Sequence, residues 1–190
     1  MKKVIKIITI IIAVLSIGTL SYLITNKITT DHITKNNTIE NISVKQFISE
    51  FNKNLKEQDL EESISIEEVT ADKNNTYWLI LNDNFDIAIK VDKVTKKPEK
   101  DIVRLTGLAY NTEYDEKDEI EKYIKILLKT NNSKLTSKKI DEMLERVNKI
   151  DKSSKEKATS KLFEYKGLGI DKTKDETNTM YRIARYGGEK

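Results

Sequence analysis

Residues 7–26 read IITIIIAVLSIGTLSYLITN, twenty positions without a charge, and Lys2, Lys3 and Lys6 stand just before them. Twenty helical residues at about 1.5 Å each span about 30 Å, the depth of a bilayer's hydrocarbon core. A core helix of a water-soluble domain is apolar along one stripe, whereas this run is apolar all round. Lysines ahead of such a run resist transfer across the bilayer, so the N-terminus is expected inside and the rest of the chain outside the cytoplasm. Tyr22, near the outer end, suits the membrane interface. The competing fate is a cleaved signal peptide followed by secretion. The nearest small-x-small site is Thr19-Leu20-Ser21, and a cut there would leave a short apolar core. The expectation is therefore a retained single-pass transmembrane anchor over residues 1–26.

The remainder is electrically balanced. The chain has 34 basic and 31 acidic residues. Removing Lys2, Lys3 and Lys6 leaves 34 − 3 = 31 basic residues against 31 acidic, a net of zero. A nucleic-acid binder carries surplus positive charge to displace counterions, so that class is set aside. Arg supplies the planar fork suited to phosphate and carboxylate recognition, and only Arg104, Arg146, Arg182 and Arg185 are present. There is no cysteine, which removes disulfides, thiolate catalysis and thiolate metal sites. An extracytoplasmic domain of this kind must be held by its core alone.

Residues 27–42 are rich in Thr and Asn, lack periodicity and read as a polar stalk. A folded domain is expected over 43–186, with 187–190 as a disordered tail. Ser43 followed three residues later by Gln46 forms a capping-box pattern, and Val44, Phe47, Ile48, Phe51 and Leu55 share one helical face. This predicts a helix over 43–57. Strands are predicted around Ile64–Val69, at Tyr77–Leu81, along Phe85–Asp92 and at Ile102–Leu108, with Asn82-Asp83-Asn84 as a hairpin turn. Helices over 112–129 and 136–150 follow, the latter with Thr136 as N-cap and Leu135 against Ile140 as a staple. A final hairpin pairs Leu162–Tyr165 with Met180–Ile183, and Gly167 and Gly169 suggest a bulge or a close backbone approach. Grouped helices and strands predict an α+β fold: a four-stranded antiparallel meander with a packed N-terminal helix, then two helices and a C-terminal hairpin. Residues 43–70 and 136–166 echo each other only faintly, with no matching side chains.

No motif for chemistry rises above background. Asn82-Asp83-Asn84-Phe85-Asp86 imitates the start of a calcium loop, but Ile87 and Lys93 stand where Gly and Glu are required. The Asp171, Thr173, Asp175 spacing fails likewise, with Glu176 and Arg182 at those positions. Gly167-Leu168-Gly169 is too short to cradle a phosphate. His32, the sole histidine, falls in the stalk, so a Ser–His pair would need it to fold back. Ser153, Ser154 and Ser160 lie near Lys155, Lys157 and Lys161 in a strongly polar stretch unsuited to a desolvated lysine base. Between residues 57 and 92 there are ten acids (Glu57, Asp59, Glu61, Glu62, Glu67, Glu68, Asp72, Asp83, Asp86 and Asp92) against Lys73 and Lys90. That is a solvated face, or an acidic patch that meets a cationic partner.

These readings point to a non-enzymatic, membrane-anchored domain that binds a protein or peptide partner outside the cytoplasm, with no catalytic, cofactor or metal residues. The candidate contacts are Trp78, Tyr77, Tyr181, Glu67 and Glu68, because aromatics offer contact area at low entropic cost. The alternatives are an anchored or secreted hydrolase using paired carboxylates from 57–92, and a structural spacer of the cell envelope. Neither nucleic acid nor nucleotide is expected as a partner.

Overall fold

The computed structural model describes residues 39–95, 97–149, 158–159 and 162–186. The expected anchor over 1–26, the expected stalk over 27–38 with His32, the serines and lysines of the 153–161 stretch and the expected tail over 187–190 lie outside the described residues. Among the described residues no helix is long and apolar enough to cross a membrane.

The domain is α+β, with three helices against an antiparallel sheet. Helix α1 (Val44–Lys56) leads through a 3-10 turn (Ile66–Glu68) into β1 (Thr70–Ala71), β2 (Thr76–Ile80), β3 (Phe85–Val91) and β4 (Val103–Asn111). Then come α2 (Lys117–Asn131), α3 (Ser137–Val147), β5 (Ala158–Thr159), β6 (Phe163–Tyr165), β7 (Leu168–Lys174) and β8 (Asn178–Arg185). The strands lie in the order β1-β2-β3-β4-β8-β7, and β5 and β6 pair successive parts of β7's outer edge. β2, β3 and β4 run as an antiparallel meander as expected, but they are part of a larger sheet: β8 returns to pair with β4 along seven residues.

Helix α1 forms where the capping box places it. Ser43 Oγ accepts from the Gln46 N–H at 3.2 Å, and Gln46 Oε1 accepts from the Ser43 N–H at 2.8 Å. Two orphan donors of the first turn are thereby satisfied. Its stripe Val44, Phe47, Ile48, Phe51 and Leu55 is buried, and the Phe47 and Phe51 rings stack at 5.9 Å. α2 starts at Lys117 rather than 112, after a turn in which Asn111 Oδ1 accepts from the Glu113 N–H at 2.8 Å. α3 begins after the Thr136 cap and stops at Asn148, with Leu135 and Ile140 buried.

Antiparallel partners project to the same side of a sheet, so the register sorts every strand residue onto one of two faces. One face carries the row Leu79–Ile87–Leu108–Tyr181 and the row Tyr77–Ile89–Thr106–Ile183–Ile170–Phe163. These pack with the helices in one core. Phe85 closes one end, its ring 4.8 Å from Tyr123, 5.3 Å from Tyr114 and 5.9 Å from Tyr110. Asn131 of α2 donates to Thr106 Oγ1 at 2.8 Å, a polar tie beneath the helix.

Three expectations are corrected. The strand read around Ile64–Val69 is a loop and a 3-10 turn, with β1 only two residues long. Asn52 of α1 bonds both the N–H and the carbonyl of Ile64, at 2.9 and 2.8 Å, taking the groups a ladder would need, and Ser65 caps the turn through the Glu67 N–H. The C-terminal hairpin is β7 with β8, joined at Asp175–Thr177, and not 162–165 with 180–183. Residues 163–165 instead form a second hairpin with β7 through Lys166 (φ 46°) and Gly167 (φ 76°), two successive positive-φ residues as a two-residue type I′ turn requires. The packed domain starts before Ser43: Ile39 and Ile42 sit against the core, and the Ile42 carbonyl accepts from the Val103 N–H at 2.9 Å.

α3 is held to β6 by charge against aromatic faces. Lys139 Nζ lies 4.3 Å from the Tyr165 ring centroid and Arg146 Cζ 4.6 Å from that of Phe163, while Glu142 pairs with both cations at 2.9 and 3.1 Å.

Two substitutions measure the helix–sheet core by urea unfolding of the chain. Phe51→Ala, which empties a fully buried ring site, should cost about 3–5 kcal/mol. Ser43→Ala should cost about 1 kcal/mol through the lost cap, with an unchanged denaturant slope.

Candidate interaction surface

The second face of the sheet carries the row Trp78–Ala88–Gly107–Arg182–Asp171. Beside it run Ile80–Asp86–Ala109–Met180–Thr173 and Thr76–Lys90–Leu105–Ala184–Gly169–Glu164. None of α1, α2 or α3 packs here. Ala88, Leu105, Ala109 and Met180 are buried yet do not join the helix-side core. The centre is floored by small residues. A Cβ on Gly107 would come within 3.3 Å of the Tyr181 carbonyl oxygen, and one on Gly169 would collide with the Tyr186 hydroxyl and lie 3.1 Å from Leu162 Cδ1. At Gly169 it is a side chain, that of Tyr186, and not a second backbone that comes close to the strand.

Among the described residues the two exposed large hydrophobics are Ile80, 64% exposed, and Leu162, 37% exposed. Ile80 projects from the second face by its register, and Leu162 lies against Gly169 of that face. They therefore mark its two sides, on β2 and beside β7.

Trp78 lies on this face, two residues from Ile80, and is half-buried. Its indole N–H donates to Asp72 Oδ2 at 3.2 Å. Asp72 Oδ1 in turn accepts from the Asn74 and Thr76 N–H groups at 2.7 and 3.0 Å, so the carboxylate both closes the β1–β2 turn and fixes the indole. Glu67 is exposed on the 3-10 turn; Glu68 closes that turn and its side chain lies outside the described set. Tyr77 and Tyr181 face the other way. Tyr77 is 3% exposed and donates its hydroxyl to Asp101, and Tyr181 is 2% exposed and donates to Asn148. Burial and those carboxylate and aromatic neighbours hold both phenols well above the usual tyrosine value. Neither presents surface to a partner, which corrects the choice of these two as contacts.

A buried ion pair sits within the second face. Arg182 Nε and Nη2 donate to Asp171 Oδ1 and Oδ2 at 2.7 and 2.8 Å, with both side chains 5% exposed. Burial pushes the Asp171 carboxyl up, and the bidentate guanidinium opposes that rise. The signal missed in the sequence was the cross-strand position of Asp171 opposite Arg182.

Several acids of 57–92 are engaged singly. Glu62 accepts from the Tyr123 hydroxyl and from Asn82 Nδ2; burial lifts its carboxyl, but those bonds and Lys122 hold it below its ordinary value. Asp92 pairs with Arg104 at 2.8 Å. The two calcium-like stretches are Asx turns: Asn82 Oδ1 accepts from the Asn84 and Phe85 N–H groups at 2.9 and 3.0 Å, and Asp175 Oδ1 from those of Thr177 and Asn178 at 3.0 and 2.7 Å. Among the described residues no cluster of three His, Cys, Asp or Glu is placed to hold a metal ion.

A groove of about 570 Å³ opens between α2 and α3, lined by Glu121, Lys125, Asp141, Leu144, Glu145, Asn148 and Lys149. Its charges are matched internally, Lys125 with Asp141 at 2.8 Å and Lys149 with Glu145 at 3.0 Å. Asn148 Oδ1 also accepts from Lys172 Nζ at 3.2 Å, and Lys172 lies 4.7 Å from the Tyr181 ring centroid. Burial, with Lys174 adding to it, pushes the Lys172 amine down to about 8, against partial restoration by Glu121.

Comparison with protein-family models, with curated proteins and with solved structures finds no match to this chain.

Two predictions follow from these charges. Asp171→Asn leaves the Arg182 guanidinium buried without its counter-charge and should cost about 3–5 kcal/mol, whereas the double change Asp171→Leu with Arg182→Met should cost far less, since a buried pair replaced by apolar groups of similar volume is often neutral. Calorimetric unfolding of the three chains checks this. Lys172 has a folded value of about 8 against an ordinary 10.5. In that window the unfolded chain binds more protons, so Lys172 makes stability rise with pH from 8 towards 10. Urea unfolding at pH 7.5 and 9.5 should show a smaller rise for Lys172→Met than for the parent.

Proposed function

We propose that this chain is a membrane-tethered, non-enzymatic domain that acts outside the cytoplasm and binds a protein or peptide partner there, as an accessory, immunity or inhibitor-type protein does. The tether is argued from the uncharged 7–26 run and the lysines before it. The binding role is argued from one observation above all: Ile80 is 64% exposed beside Trp78, on a sheet face that none of the three helices occupies. Aromatic anchors next to aliphatic side chains are the usual energetic centre of a protein contact. Glu67, exposed on the adjoining 3-10 turn, offers a rim charge, which affects encounter rate more than affinity.

The hydrolytic alternative requires two carboxylates across one cleft, one of them in an apolar site. Glu62, Asp72 and Asp92 each serve a tyrosine, a turn or an arginine instead. No particular observation favours it over the binding reading.

The test has two arms. In intact cells the full chain should fractionate with membranes and be digested by added protease, and a chain lacking residues 1–26 should be soluble. A photo-crosslinking residue at position 80 should give a discrete adduct that one at exposed Lys138 on α3 does not. Trp78→Ala should reduce that adduct about 10-fold or more, the effect of losing roughly 2 kcal/mol at a contact centre, with unfolding midpoint little changed. A protease-resistant chain in the cytosol would overturn the placement. Equal labelling from positions 80 and 138 would overturn the contact surface.

A further inference from the structure

We draw no further inference here: the strongest candidate, the small-residue floor of the sheet face opposite α1, α2 and α3, around Ala88, Gly107 and Ala109 with its buried Asp171–Arg182 pair, adjoins the Trp78–Ile80 surface already described, and nothing among the described residues shows what covers it.

Discussion

Alternation along β3, β4 and β8 is the constraint from which the rest of the domain follows. On β3 it sends Phe85, Ile87, Ile89 and Val91 to the helices and Asp86, Ala88 and Lys90 to the other side. On β4 the helix side receives Thr106, Leu108 and Tyr110, and the far side Leu105, Gly107 and Ala109. A slip of one residue by β3 would put Asp86 and Lys90 on the helix side, beside the aromatic cluster around Phe85, so its register is strongly specified. With one side filled by rings and branched chains, α1, α2 and α3 have a single face on which to bury their stripes. The far side carries Trp78, Ile80, Leu105 and Met180 among alanines, glycines and an ion pair, and none of α1, α2 and α3 is placed on it.

Polar groups then fix the periphery that apolar packing cannot position. Asp101 is the clearest case, buried, accepting from the Tyr77 hydroxyl and from the Thr95 N–H and hydroxyl, while its own carbonyl takes the Val44 N–H at 2.8 Å. One residue thus locks the β3–β4 connection to both β2 and the start of α1. Arg185 does the same elsewhere, donating to the carbonyls of Asn131 at the end of α2 and of Glu40 ahead of α1. Side chains occupied in this way are poorly placed for chemistry, because a carboxylate that closes a turn or a tyrosine bond is already saturated with donors.

What could be read from the sequence divides along the same line. α1 was legible to within a residue at each end because its cap and its stripe are local, encoded within thirteen positions. β3 was legible because its alternation is unbroken, β2 because its run favours strand, and the turn between them because it carries Asn and Asp. β1 was misread because the decisive bonds come from Asn52, twelve residues from Ile64. The β6–β7 hairpin was missed because its turn uses Lys166 at positive φ, where Asn or Gly is the usual cue. Ile39 and Ile42 were hidden by the polar composition around them. Of the proposed contacts, strand periodicity alone places Trp78 and Tyr77 on opposite faces, but it does not say which face the helices take; that depends on the neighbouring strands. Tyr181 was lost for the same reason.

A lone exposed isoleucine on a protein surface carries little information, since much of any surface is apolar. Ile80 differs through its neighbour. In the run Thr76–Leu81 both phases are apolar; Tyr77 and Leu79 supply the core, which leaves Trp78 and Ile80 as hydrophobic surface the fold itself does not use. They are two residues apart on one strand, about 6.8 Å. Trp78 is held by Asp72, which is held by two backbone amides of its own turn, so the indole loses little freedom when a partner meets it. Lowering the entropic cost of contact is how a small surface gains affinity without gaining area. A purely structural spacer has no use for a tryptophan fixed in that way beside an exposed aliphatic chain, and this is why the binding reading stands ahead of the spacer.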